Sequence, residues 1–233
     1  MITAFLPCRS GSQRVPHKNT RPFAGHADGL IGVKLQQLAD CQEIDLILLS
    51  TNDPEVIEVG TRFAEGCPKL QIDLRPEHLC RSDTSTDELI EYVPERIENG
   101  TVLWTHVTSP MVEAPIYTQM IADYREGIAA GTSDSLMSTN ALKTFVWSAS
   151  GPLNYDRALE KWPRTQTLGK LFAVNSAAFI IDVELMRTTH DRIGQRPLMF
   201  EMDEIVGFDI DWEEQLTIAE LLYAASSQPP AAP

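Results

Sequence analysis

The feature that most constrains this chain is a succession of short apolar runs separated by amphipathic stretches. Residues 2–6, 44–50, 70–74 and 101–107 have the length and the β-branched or aromatic content of buried strands. Between the first two, Leu30, Ile31, Val33, Leu35 and Leu38 recur at helical intervals. Asn52-Asp53-Pro54 then gives a cap followed by proline, launching a helix toward Glu65. Residues 82–88 form another helix start, and Asn99-Gly100 a stop. Strand, helix, strand successions of this length are parallel crossovers. With a helix over 114–127 and a strand over 135–138, they predict a three-layer α/β/α sandwich with a mostly parallel sheet.

The stretch 140–169 breaks the rhythm. Residues 144–147 alternate like a strand, Gly151-Pro152 turns, and Trp162-Pro163-Arg164 interrupts a would-be helix, so the segment reads as an arm projecting from one domain over 1–225. The low-complexity tail at 226–233 is expected to be disordered.

Composition excludes several classes. With 19 basic and 33 acidic residues, net −14, the chain repels nucleic acid. No apolar run approaches the roughly 18 residues of a membrane span, and Met1-Ile2-Thr3 enters a strand directly, which predicts a cytoplasmic protein without membrane attachment. The four cysteines have neither zinc nor redox spacing and read as reduced, packed thiols. Arg9 beside Cys8 leaves open a lowered thiol pKa at that one position.

Functional chemistry concentrates in the loop 7–19, which leaves the carboxyl end of the first strand. It carries Arg9, Arg14 and Lys18 around Ser10, Gly11 and Ser12, the residue types of a phosphate cradle, and equally those of a solvated connector. Neither G-x-x-x-x-G-K-[ST] nor G-x-G-x-x-G occurs. Near the other end, Asp209-Ile210-Asp211 places two carboxylates two residues apart. On a strand they would share a face and offer oxygen ligands to a hard divalent cation, although acidic pairs also cap helices.

The motif R-S-G-S-x-x-x-P-x-K-N of this loop resembles the opening signature of the sugar-acid cytidylyltransferases, which make CMP-sialic acid and related CMP-nonulosonic acids. Further blocks occur in that family's order. The segment Arg75-Pro76-Glu77-His78-Leu79-Cys80-Arg81-Ser82-Asp83 resembles the R-P-x-x-L-x-x-D block, and Thr108-Ser109-Pro110 resembles part of Q-P-T-S-P-L-R. Arg164-Thr165-Gln166-Thr167-Leu168 resembles R-x-Q-x-L, and Asn175-Ser176-Ala177-Ala178-Phe179 resembles N-G-A-x-Y. The resemblance implies transfer of CMP from CTP to the anomeric hydroxyl of a sugar acid, with release of pyrophosphate. It implies that Arg9, Ser10, Gly11, Ser12, Lys18, Asn19, Arg75 and Ser82 bind the nucleotide, with Lys18 and Asp211 catalytic. His106, Arg164, Gln166 and Asn175 would bind the sugar acid, and Asp209 and Asp211 would hold Mg²⁺. A homodimer sharing the 140–169 arm is also implied. Departures from the pattern are Gln13 for a lysine, His106 for a glutamine, Val107 for a proline and Val112 for an arginine. The last three suggest an acceptor other than the commonest sialic acid. A nucleotidyltransferase for another sugar or nucleotide, and a catalytically weak nucleotide-binding relative, are the alternatives.

Overall fold

The computed structural model describes residues 1–226; most of the expected tail lies outside the described residues. The elements are β1 (Ile2–Cys8), α1 (Gly29–Asp40), β2 (Leu46–Thr51), α2 (Pro54–Ala64), β3 (Leu70–Leu74), α3 (Thr86–Arg96), β4 (Thr101–Thr105) and α4 (Ala114–Ala130). They continue with β5 (Ser135–Leu142), β6 (Trp147–Ser148), β7 (Gly151–Pro152), β8 (Leu171–Asp182), α5 (Val183–Thr189), β9 (Pro197–Met202) and α6 (Glu213–Ser226).

Seven strands form one sheet in the order β3-β2-β1-β4-β8-β5-β9. β8 runs antiparallel to both β4 and β5, and the other pairings are parallel. Period-2 alternation splits the core in two. Ala4, Leu6, Ile47, Leu49 and Leu103 point to the layer that α1, α2, α4 and α6 cover. Phe5, Leu48, Val102, Trp104 and Phe179 point to the layer of α3 and α5. Helix boundaries follow local chemistry: Asp53 accepts from Glu55 N at α2, and Ser85 and Glu88 close a reciprocal capping box at α3.

Three sequence expectations need correction. β5 extends to Leu142 and β8 begins at Leu171, so the arm is 143–170, narrower than expected. Pairing of Leu142 with Leu171 carries the sheet further than the apolar run alone suggested. In the arm a minimal β6–β7 hairpin forms, with Gly151-Pro152 in its second strand, followed by a single 3-10 turn at Thr165–Thr167. Asp209 and Asp211 do not lie on a strand: Gly207 and Phe208 donate within a turn to Asp203 and Ile205, and Ile210 N reaches Thr108 O at 3.0 Å without starting a ladder.

Candidate active site

β1, β2, β3 and β4 end on one side of the sheet, where open α/β sheets place their ligand crevices. A cleft of about 460 Å³ opens there, within the usual range of small-molecule sites. Arg9, Ser12, Lys18 and Asn19 line it from the loop after β1, Arg75 and Ser82 from the segment after β3, His106 from the end of β4, and Asp211 from the approach to α6. Four segments distant in sequence thus meet at one concavity.

The loop after β1 is shaped by its own polar groups. Gly11 takes φ +73°, a conformation suited to glycine, and Asn19 Nδ2 donates to Arg9 O at 3.3 Å. Ser10 N donates to Asn52 Oδ1 at 3.0 Å, so that amide is already engaged. Ser10 and Gly11 instead line an adjoining cavity of about 310 Å³, which shares Arg9, Ser12, Lys18 and Asn19 with the cleft.

Lys18 connects the two ends of the chain. Its Nζ donates to Ile210 O at 3.0 Å, between the two aspartates. Burial lowers the Lys18 pKa, while the Asp209 and Asp211 carboxylates raise it. Burial pushes the Asp209 carboxyl up; the Thr108 hydroxyl and Lys18 oppose this, and the charge of Asp211 adds to it. Asp209 Oδ1 is buried with no hydrogen-bond partner among the described residues, whereas Asp211 Oδ1 pairs with Arg14 Nη1 at 3.1 Å. The Arg14 guanidinium also lies 5.2 Å from the centre of the Trp212 ring.

The aspartates are not the cap of α6. Gln215 Oε1 accepts from the amides of Asp211 at 2.7 Å and Trp212 at 2.9 Å, the backward half of a capping box. Among the described residues no group of three or more His, Cys, Asp or Glu could hold a metal ion, so a cation at this pair would need phosphate and water oxygens to complete its shell. The unpartnered Asp209 oxygen fits a hard cation of that kind.

Arg75 is almost wholly buried, its Nη2 donates to Ser50 O at 2.9 Å, and its Nε has no partner among the described residues. Ser50 in turn donates to Asp73, which also receives Tyr92 and Arg96. Cys8 is inert: burial pushes its thiol up to about 12, overriding the Arg75 charge that would lower it.

Other expected residues are elsewhere. Val112 is fully buried in the core, so it does not face the cleft; Val107, also buried, does line it. Arg164 and Gln166 are exposed on the arm and reach neither cavity. Asn175 is engaged within the sheet, accepting from Ser138 Oγ and donating to Asn140. Ser176 beside it adopts φ +58°, where the N-G-A motif it resembles has glycine. Arg81, Thr84, Ser85, Thr86 and Leu89 also line the cleft; the helix-start signal at 82–88 located Thr84, Ser85 and Thr86 but gave no hint of that role.

His106 titrates far from its usual range. Burial pushes its imidazole down to about 3, reinforced by Arg192 and then Lys18. The Trp104 indole N–H donates to Nε2 at 3.1 Å, so the neutral ring carries its proton on Nδ1. An unfolded histidine binds a proton near pH 6.5, so the contribution of neutral His106 is full above that pH and falls as pH drops toward 3. His106→Gln should therefore lose less melting temperature between pH 7 and about pH 4.5 than the parent in calorimetry. Equal losses would show that His106 titrates normally.

The sequence matches the cytidylyltransferase family over residues 3–174. Pseudaminic acid cytidylyltransferase of Campylobacter jejuni is 26% identical over 117 residues, covering 50% of this chain and 48% of that protein. CMP-N,N'-diacetyllegionaminic acid synthase of Legionella pneumophila is 32% identical over 113 residues, 47% of each. N-acylneuraminate cytidylyltransferase A of Danio rerio is 24% identical over 227 residues, 94% of this chain and 50% of that protein. The chain thus spans about half the length of these relatives. Among solved structures, CMP:2-keto-3-deoxy-manno-octonic acid synthetase complexed with CTP superposes with a TM-score of 0.67 at 16% identity, covering 97% of this chain and 99% of that one. A 4-diphosphocytidyl-2C-methyl-D-erythritol synthase from Anaerococcus prevotii gives 0.66 at 11%, covering 95% of each. At such identities these likenesses speak for the fold, and the match across most of the chain gives the family: this protein belongs to the cytidylyltransferases.

Proposed function

We propose that this chain transfers CMP from CTP to the anomeric hydroxyl of a nonulosonic, sialic-acid-like sugar acid, releasing pyrophosphate. The observation that carries the reading is the Lys18 bond to Ile210 O, which ties the basic loop to the Asp209–Asp211 segment at one cleft. The names of the matched relatives support the choice of CTP and of a sugar acid.

In this reaction the acceptor hydroxyl oxygen bonds to the α-phosphorus as the bond from that phosphorus to the pyrophosphate oxygen breaks, and the hydroxyl proton leaves to water. Arg9 and Lys18 bind the phosphates, Arg75 and Ser82 lie toward the cytidine, and the His106 Nδ1–H offers the acceptor a neutral donor. Asp209 and Asp211 would hold Mg²⁺. When bound, that ion neutralises phosphate charge and makes a coordinated hydroxyl more acidic. Arg14 must then release Asp211, and its exposed pair is weak enough to break.

The deciding assay is pyrophosphate release from CTP and Mg²⁺ with a panel of sugar acids differing in acyl, amino and deoxy positions. The Arg14–Asp211 pair is the one observation favouring a nucleotide-binding relative with little turnover. CTP binding without pyrophosphate release on any member of the panel would select that second reading.

The proposal extends to a homodimer in which Arg164 or Gln166 serves the sugar site of a second copy. Trp147 and Trp162 are 44% and 64% exposed on the arm, where Phe145, Tyr155 and Arg157 pack around them. Mixing inactive Arg164→Ala and Asp209→Asn chains should restore turnover, because one site of each mixed dimer has an intact cleft and an intact arm. A fully active monomer in sedimentation at micromolar concentration would rule this out.

A further inference from the structure

Lys34, on α1, is fully buried and has no part in the reaction proposed above. Its Nζ donates to Ser109 O at 2.9 Å, Val112 O at 3.2 Å and the Tyr117 hydroxyl at 2.9 Å. Hydrogen counting fixes its charge. The single Thr105 hydroxyl hydrogen goes to Ala177 O at 2.7 Å, so the 2.8 Å contact between Thr105 and Tyr117 is donated by tyrosine. The Tyr117 oxygen can then only accept from Lys34. Three acceptors require three N–H groups, hence an ammonium.

Holding that ammonium in the core is costly, since burial drives its pKa down and, even with the partial offset from Glu113, it lies at about 7. An apolar side chain of similar volume would fill the space without this cost. What the charge supplies is a grip on residues 109–112. Gln37, from the same helix, adds a bond to Pro110 O at 2.6 Å. The residue preceding this stretch holds the acidic segment: Thr108 O accepts Ile210 N–H at 3.0 Å, between the two aspartates.

We infer that Lys34 is a positioning residue for the acidic pair: by fixing residues 109–112 to α1, it sets where Thr108 holds Ile210, between Asp209 and the cleft-lining Asp211. The geometry stands by itself; only the use of the pair for catalysis rests on the function proposed above.

The test is Lys34→Met in the full chain, with amide hydrogen exchange as the first readout. Exchange at Ile210 and Val112 should accelerate by about tenfold or more while the amides of β1 and β2 keep their protection. In turnover, the Mg²⁺ concentration for half-maximal rate should rise by about tenfold, while CTP affinity in EDTA stays within about twofold. Parent-like exchange at Ile210, or equal acceleration throughout the sheet, overturns the inference. Should Lys34→Met not fold, Tyr117→Phe, which deletes one of the three acceptors, must shift the same amides in the same direction; no shift there overturns it as well. A parent without turnover would defeat the proposed reaction and leave the exchange result to decide the role of Lys34.

Discussion

Replacing Lys18 with alanine should lower kcat/KM for CTP by about a hundredfold or more, because two interactions end together. A charge-assisted bond to phosphate is worth about 1.5–3 kcal/mol, and the bond to Ile210 O adds roughly 1 kcal/mol by holding the acidic segment against the basic loop. Stability should change little. Burial already disfavours the ammonium, so removing it relieves part of the cost that the lost hydrogen bond adds. Lys18→Arg makes the comparison sharper: it keeps a charge for the phosphate but cannot reproduce a single bond to the Ile210 carbonyl in the same space, so it should recover only part of the loss. Steady-state kinetics over a CTP series, with melting temperatures of all three proteins, reads both effects. A kcat/KM for Lys18→Ala within threefold of the parent would reduce the loop to a connector.

The sequence made the scaffold legible because strand and helix periods are local. Ala4, Leu6, Ile47 and Leu49 alternate with Phe5 and Leu48, and that alternation is the division between the two core layers. Strand direction is a different kind of fact. Residues 177–181 of β8 are buried throughout, as a parallel strand would be, and only the path of the chain through the arm reverses them against β4. The acidic pair shows the same limit: a spacing of two residues implied a strand, while Gly207 and the turn before it supply another backbone for the same letters. Val112 looked like a cleft residue because it comes after Thr108-Ser109-Pro110, yet the chain turns there, Val112 N bonding Ser109 O, and the side chain enters the core. Lys34 gave no signal at all. A lysine among apolar helix positions reads as one that extends to solvent, and it is buried only because carbonyls 75 and 78 residues away converge on its amine.

Asp209→Asn should separate function from stability more cleanly than any other substitution in this protein. Its carboxylate keeps one oxygen buried without a hydrogen-bond partner among the described residues, in surroundings that push its pKa up. An unsatisfied buried group of this kind costs about 1–3 kcal/mol, so a neutral isostere should leave the melting temperature unchanged or raise it. Turnover should nevertheless fall by about a hundredfold or more, since even an indirect partner of a metal ligand is commonly worth ten- to a hundredfold. Asp211→Asn should lose activity to a similar extent and differ in stability: its exposed pair with Arg14 contributes at most about 1 kcal/mol, and the cap of α6 stays with Gln215. A residue kept at some cost to the fold, whose removal stabilises the chain and stops the reaction, is one retained for its chemistry. Melting curves and a Mg²⁺ titration of turnover for both variants supply the comparison. Parent-like rates with the same Mg²⁺ dependence would remove the pair from the reaction, and a large loss of stability in Asp209→Asn would show its buried oxygen to be satisfied after all.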